Sequence, residues 1–161
     1  EFRELDDLED VYKGYKLVKE PYKQVSLPVP DYSLLKNAFE IMYKNGLVKY
    51  FAALYKGEMI GFRAVLCYKD LIYDWYAGSN KNSIDKYPND FLPWKIMQWG
   101  SANGYKRFDF GGAGKPNEPY GVRDFKLKFG GKLVNYGRYE KVHKNGLMAL
   151  GKLLMKVYKL L

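Results

Sequence analysis

Residues 48–77 read VKYFAALYKGEMIGFRAVLCYKDLIYDWYA, and here the apolar period shifts from the three- and four-residue steps found upstream to an alternation of two. β-Branched and aromatic residues dominate the stretch, and two turn pairs, Lys56-Gly57 and Lys69-Asp70, divide it. The pattern predicts three strands, 48–55, 59–68 and 71–77, folded as an antiparallel meander. A two-residue loop at Lys69-Asp70 sets Tyr68 opposite Leu71 and Val65 opposite Asp74, which makes Arg63 a diagonal same-face neighbour of Asp74. A structural ion pair is the plainer reading of these two charges, and a substrate-facing pair the sharper one.

Upstream of the meander, Leu5, Leu8, Val11, Tyr12 and Tyr15 predict a helix over 5–18, with Asp6 and Asp7 where its dipole favours anions. The proline-bearing stretch from Pro21 to Pro30 is expected to stop it. Asp31 then caps a second helix with an apolar face of Leu34, Leu35, Ala38, Phe39 and Met42, ended by Asn45-Gly46. Downstream, a polar loop from Ser79 to Asp90 leads into a third helix carrying Leu92, Trp94, Ile96 and Trp99, and then into a short strand, 107–110. Strand, helix and strand in succession require a right-handed crossover, so 107–110 is expected to run parallel to 71–77. A helical piece over 121–129, a strand over 132–142 and a last helix over 146–161, closing the domain, complete the expectation. The fold class is α/β (α+β): one domain built on a mixed, mostly antiparallel sheet flanked by helices.

Composition narrows the function. In 161 residues, 47% hydrophobic and 17% aromatic, there is material for one core and hardly for two. The apolar runs fall short of the roughly 18–20 residues that span a bilayer. A single cysteine, Cys67, excludes an internal disulfide and a cysteine-built zinc cluster, and the lone His143 leaves too few nitrogen ligands for a histidine-built metal site. A reducing, cytoplasmic compartment is expected, and nucleophile chemistry of the Cys-His or Ser-His-Asp kind has only His143 to draw on. Charge is unevenly spread: residues 106–161 hold 13 basic and 4 acidic side chains and account for the whole net charge of +9. A cationic C-terminal third points to a polyanionic neighbour (nucleic acid, a phosphorylated ligand or an anionic membrane face) unless it is simply a solvated lysine surface. The last helix, with Leu147, Leu150, Leu154, Val157 and Leu161 on one face and Lys152, Lys156 and Lys159 on another, suits either an anionic membrane or its own sheet.

The glycine cluster Gly111-Gly112-Ala113-Gly114 is not a nucleotide loop. A Walker A loop needs glycine where Asp109 stands and Ser or Thr where Pro116 stands, and a dinucleotide fingerprint needs a helix at once, which Pro116 and Pro119 forbid.

Two segments are more specific. One is Tyr76-Ala77-Gly78-Ser79, followed by Tyr87-Pro88 and the helix bearing Trp94. The other is Phe108-Asp109-Phe110-Gly111-Gly112, then Gly121-Val122-Arg123-Asp124-Phe125-Lys126, then Phe129-Gly130-Gly131. In these the sequence resembles the Fem family, aminoacyltransferases that build peptidoglycan cross-bridges, and their acetyltransferase relatives, all with the GNAT acyltransferase fold. The resemblance extends over nearly the whole chain. It implies an amide-forming transfer from aminoacyl-tRNA to an amine of a peptidoglycan precursor, with no cofactor. It also implies a tandem arrangement in which this domain is the second and an upstream domain of the same chain the first, at the cytoplasmic side of the membrane. Phe125 and Lys126 occupy the family's Phe-Lys positions near the acyl-transfer centre.

The chemistry suits those residues. An amine attacking an ester or thioester builds a tetrahedral oxyanion, and a fixed cation such as Lys126 lowers that barrier by about 3–4 kcal/mol. Lys126 is alternatively a phosphate holder. Backbone groups from Tyr76 to Gly78 are candidate donors where strands part, and Asp109 or Asp74 is a candidate base. Candidate substrate contacts are Tyr76, Gly78, Ser79, Trp94, Gly112, Tyr120, Gly121 and Arg123. The alternatives are acetyl-CoA-dependent N-acetyl transfer, against which the absence of glycine between Ser79 and Asp90 weighs, and a non-catalytic basic binding module.

Overall fold

The computed structural model describes residues 1–24, 28–115, 117–137 and 139–158. Its centre is the expected meander: β2 (Val48–Tyr55), β3 (Glu58–Tyr68) and β4 (Leu71–Ser79), each antiparallel to the next. Tyr68 faces Leu71 and Val65 faces Asp74, the register set by the two-residue turn in which Lys69 adopts φ 53°. A strand at the far edge, β1 (Phe2–Glu4), pairs antiparallel with β2. On the other side β5 (Arg107–Asp109) runs parallel to β4, giving a five-stranded mixed sheet in sequence order.

Strand alternation divides the core between the two faces of this sheet. Tyr50, Ala52, Phe62 and Ala64 pack beneath α1 (Leu8–Gln24) and α2 (Tyr32–Ala38), with Val11, Val18 and Leu35 descending onto them. Phe51, Ala53, Val65, Cys67 and Ile72 face α3 (Pro88–Ala102) through Leu92 and Ile96. Asp31 caps α2 as its sequence position predicts, accepting the Ser33 N–H at 2.9 Å. Two glycines let α1 lie close to the sheet. A Cβ on Gly14 would fall 1.9 Å from the Phe62 ring, and one on Gly78 would fall 2.3 Å from the Leu17 backbone.

The structure corrects the sequence reading at five places. The first helix begins at Leu8 rather than at residue 5, because Leu5 prolongs the edge strand: its N–H donates to the Tyr50 carbonyl at 2.8 Å and its side chain is buried. Three strand residues are too few to register as a period. Pro21 does not stop α1, which runs on to Gln24. Proline leaves the Leu17 carbonyl without its usual helical donor, and that carbonyl is the group that abuts Gly78. No strand forms among the described residues of 132–142; Gly130 and Gly137 take positive φ, and Leu133 and Val134 stay more than half exposed.

Finally, α4 (Gly121–Leu127) ends two residues before the predicted limit, and α5 (Asn145–Tyr158) does not close the domain. Leu147, Leu150 and Leu154 are between half and two-thirds exposed, and every described residue from 130 to 157 is exposed. Lys159 and Leu161, assigned to the two faces of that helix, lie outside the described residues, as does Pro116. No helix among the described residues is long and apolar enough to cross a membrane.

Candidate active site

β5 accompanies β4 only as far as the Tyr73↔Asp109 pair. Immediately beyond, β4 carries a bulge: Asp74 faces Val65 and Tyr76 faces Ala64, so Trp75 is an extra residue without a partner on β3. A bulge bends its strand and redirects the side chains on either side. With β5 gone and β4 bent, the sheet opens a cleft of about 300 Å³. Asp74 to Ala77 form one wall; Phe110 to Gly112 and one side of α4 form the other.

A charged pair lies in this cleft. Arg63 on β3 donates to Oδ2 of Asp74, the diagonal neighbour anticipated from the strand register, and the two side chains are only 6% and 9% exposed. The second carboxylate oxygen, Oδ1, is buried and has no hydrogen-bond partner among the described residues.

Lys126 reaches in from the opposite wall. Its Nζ donates to the carbonyls of Phe110 and Gly112, each at 2.6 Å, so the loop after β5 fixes the ammonium in space. An ammonium carries three hydrogens, and the third finds no acceptor among the described residues. Burial pushes the Lys126 pKa below its usual 10.5; the negative charge of Asp74 opposes that shift, Arg63 adds to it, and Asp109 opposes it. Such a cation, partly desolvated and held by main-chain oxygens, can polarise a carbonyl placed against it.

Of the residues singled out from sequence, the structure brings Arg63, Asp74, Tyr76, Gly112, Phe125 and Lys126 together in the cleft. Gly78 and Ser79 line a neighbouring cavity of about 310 Å³, reached past Ala77, which borders both. The other candidates lie elsewhere. Asp109 accepts the Gly111 N–H at 2.7 Å and closes the turn that presents the Phe110 and Gly112 carbonyls. Arg123 donates from Nε to the Ala113 carbonyl at 2.9 Å and from Nη2 to the Lys115 and Glu118 carbonyls, tying the loop to the start of α4. Tyr120, extended in backbone and ahead of Gly121, covers Gly114, where a Cβ would meet its ring at 2.7 Å. Trp94 stands 55% exposed on α3 and lines neither cavity. Sequence reasoning did not single out Tyr73 and Trp75, which also line the cleft. The signal for Trp75 is a β-bulge, which no period reports.

The start of α3, beside the second cavity, is poor in anion-binding donors. Pro88 at its first position has no N–H, and the N–H groups of Tyr87 and Asp90 bond to the Ile84 and Tyr87 carbonyls, at 2.9 and 3.1 Å. A helix start whose N–H groups are spent in this way makes a weak cradle for pyrophosphate. Among the described residues no cluster of His, Cys, Asp and Glu is arranged to hold a metal ion.

Comparison with known proteins agrees with this architecture. No curated protein matches the sequence. FemX superposes with a TM-score of 0.67 at 14% identity, over 78% of this chain and 48% of its own. A possible acetyltransferase from Clostridium difficile 630 superposes with a TM-score of 0.64 at 12% identity, over 90% of this chain and 98% of its own. The aminoglycoside acetyltransferase meta-AAC0020, from an uncultured soil metagenomic sample and in complex with sisomicin, gives 0.60 at 15% identity, over 88% and 96%. At these identities the likeness is one of fold. Residues 1–126, which run from the edge strand through the lysine of the cleft, match the family described as acetyltransferase (GNAT) domain, and the chain belongs to that family of acyltransferases.

Proposed function

We propose that this domain carries out amide-forming acyl transfer of the Fem type, moving an aminoacyl group from aminoacyl-tRNA to a primary amine of a peptidoglycan precursor. The observation that carries the reading is the placement of Lys126, whose ammonium is held by two carbonyls with one hydrogen left over, in a cleft between parting strands. That hydrogen meets the oxygen on which negative charge develops when the amine attacks, and the fixed position spares the reorganisation that water would need. Alignment of donor and acceptor along the cleft supplies a further part of the rate. The Phe-Lys pair at 125–126 and the glycine-flanked segments around it support the Fem assignment, as does the fold likeness to FemX. The basic C-terminal third supplies phosphate contacts for a tRNA donor.

Acetyl-CoA is the alternative donor, favoured by membership of an acetyltransferase family. The spent N–H groups at the start of α3 and the lack of glycine before it weigh against it. Calorimetry with each donor separates the two. Saturable binding of aminoacyl-tRNA, with acetyl-CoA showing none, is expected; tight stoichiometric binding of acetyl-CoA would reverse the assignment.

A further inference from the structure

α5 carries an apolar arc that the described residues do not cover. At about 100° per residue, Leu153, Val157, Leu150, Leu154, Leu147 and Met155 follow one another around more than half of the helix, and all six are exposed. Lys156 borders the arc on the Leu153 side and Lys152 on the Met155 side, and the helix contains no acidic residue. It is 14 residues long with glycines at 146 and 151. A helix of that length and composition gains little from propensity and is held by packing its apolar face, so α5 calls for a surface.

Shape and charge together decide which surface. A partner helix fills a narrow seam and leaves much of so wide an arc in water. A nucleic acid neutralises the lysines and leaves the leucines wet. An anionic bilayer takes both: the arc sinks to the acyl boundary, while the lysine stems run along it and raise their ammonium groups to the lipid phosphates. Lys141 and Lys144, exposed just ahead of the helix, add to the same attraction. Tyr136 and Tyr139, 82% and 98% exposed, are side chains of the kind that settles at headgroup level. At about 21 Å, the helix is shorter than the roughly 30 Å hydrocarbon core, so it lies on the bilayer rather than across it.

We infer that α5 is an interfacial helix that lays this domain on an anionic lipid bilayer, its leucines in the membrane and its lysines among the headgroups. This goes beyond the acyl-transfer reading and does not depend on it. The phosphate contacts of a tRNA donor then fall to basic residues ahead of α5, such as the exposed Lys106 and Lys128.

Cosedimentation of the whole chain with lipid vesicles tests the inference. One set is phosphatidylcholine alone, and the other contains phosphatidylglycerol as about a third of the lipid. No acyl donor or acceptor is present, so the result is read independently of whether acyl transfer is observed. In about 0.1 M salt the chain should partition about tenfold more strongly onto the anionic vesicles, and raising the salt to about 0.5 M should narrow that difference. The double variant L150S/L154S should lose about tenfold or more in partition while keeping the wild-type thermal transition and wild-type binding of unacylated tRNA. The variant K152Q/K156Q should lose about fivefold for each charge removed. Equal partition onto the two kinds of vesicle, or none onto either, would overturn the inference. So would wild-type partition of L150S/L154S, or a loss of its thermal stability without lipid, which would place the leucines against protein. A dimer in lipid-free sedimentation equilibrium that L150S/L154S returns to monomer would give the arc to a second copy, and loss of tRNA binding in that variant would give it to nucleic acid; either result overturns the inference as well.

Discussion

α1 and α5 are both amphipathic by sequence, yet only one of them has a core. α1 sets Val11, Tyr15 and Val18 onto the sheet at 7% exposure or less, with Gly14 and Gly78 removing the side chains that would hold it away. α5 presents Leu147, Leu150, Leu153 and Leu154 at exposures between 51% and 63%. The two stripes are similar; what differs is the surface opposite. α1 lies over strands that contribute Tyr50, Phe62 and Ala64 to its face, whereas the segment ahead of α5, 130–137 and 139–144, makes no strand for it to cover. Periodicity reports which face a helix wants to bury. It does not report whether anything is there to receive it.

The comparison breaks most sharply under core truncation. Leu92→Ala, at a side chain 2% exposed on the sheet-facing side of α3, is expected to cost about 2–5 kcal/mol. Leu150→Ala, on the exposed face of α5, should stay within about 0.5 kcal/mol. Urea unfolding of the two variants checks the pair, and comparable losses would mean that α5 is packed in solution. Next in size is Gly78→Ala. The added methyl meets main chain rather than a movable side chain, so a loss of about 1–3 kcal/mol is expected from the same unfolding curves. Gly151→Ala on α5, where a Cβ meets nothing within 4 Å, serves as its control and should be neutral or slightly stabilising.

The smallest effect concerns pH. The folded-state pKa of Lys126 lies below its value in the unfolded chain, chiefly because of burial. Between those two values the unfolded state binds more protons, so the wild type gains stability as pH rises through that window, while the cost of burying the charge is present in full below it. The thermal stability of Lys126→Met relative to wild type should therefore decline as the pH rises from 7 towards 10.5. A difference independent of pH would place the ammonium in solvent.

Much of the fold is legible in the sequence because its decisive features are local. Period-2 alternation and the Lys69-Asp70 turn fix the register of β3 on β4, and with it the Arg63–Asp74 pair. The parallel setting of β5 follows from the handedness of its crossover. Features set by tertiary contact are not legible. The edge strand at Phe2–Glu4 is too short for a pattern, Pro21 is tolerated in a helix that meets a glycine, and the bulge at Trp75 that opens the cleft leaves no trace in residue spacing. The candidate site divides in the same way. Lys126 and Phe125 stand out by motif and do lie in the cleft, whereas Arg123 and Asp109, equally prominent in the sequence, are occupied in holding the loop that aims the lysine.

The central claim is that the fixed ammonium of Lys126 stabilises the charge that develops during acyl transfer. Turnover of Lys126→Met and Lys156→Met, measured side by side with the activated acyl donor that calorimetry identifies, tests it most directly. A fall in kcat of about tenfold or more at position 126, with wild-type turnover at position 156 on the exposed helix, is the expected result. Equal effects at the two positions would contradict it.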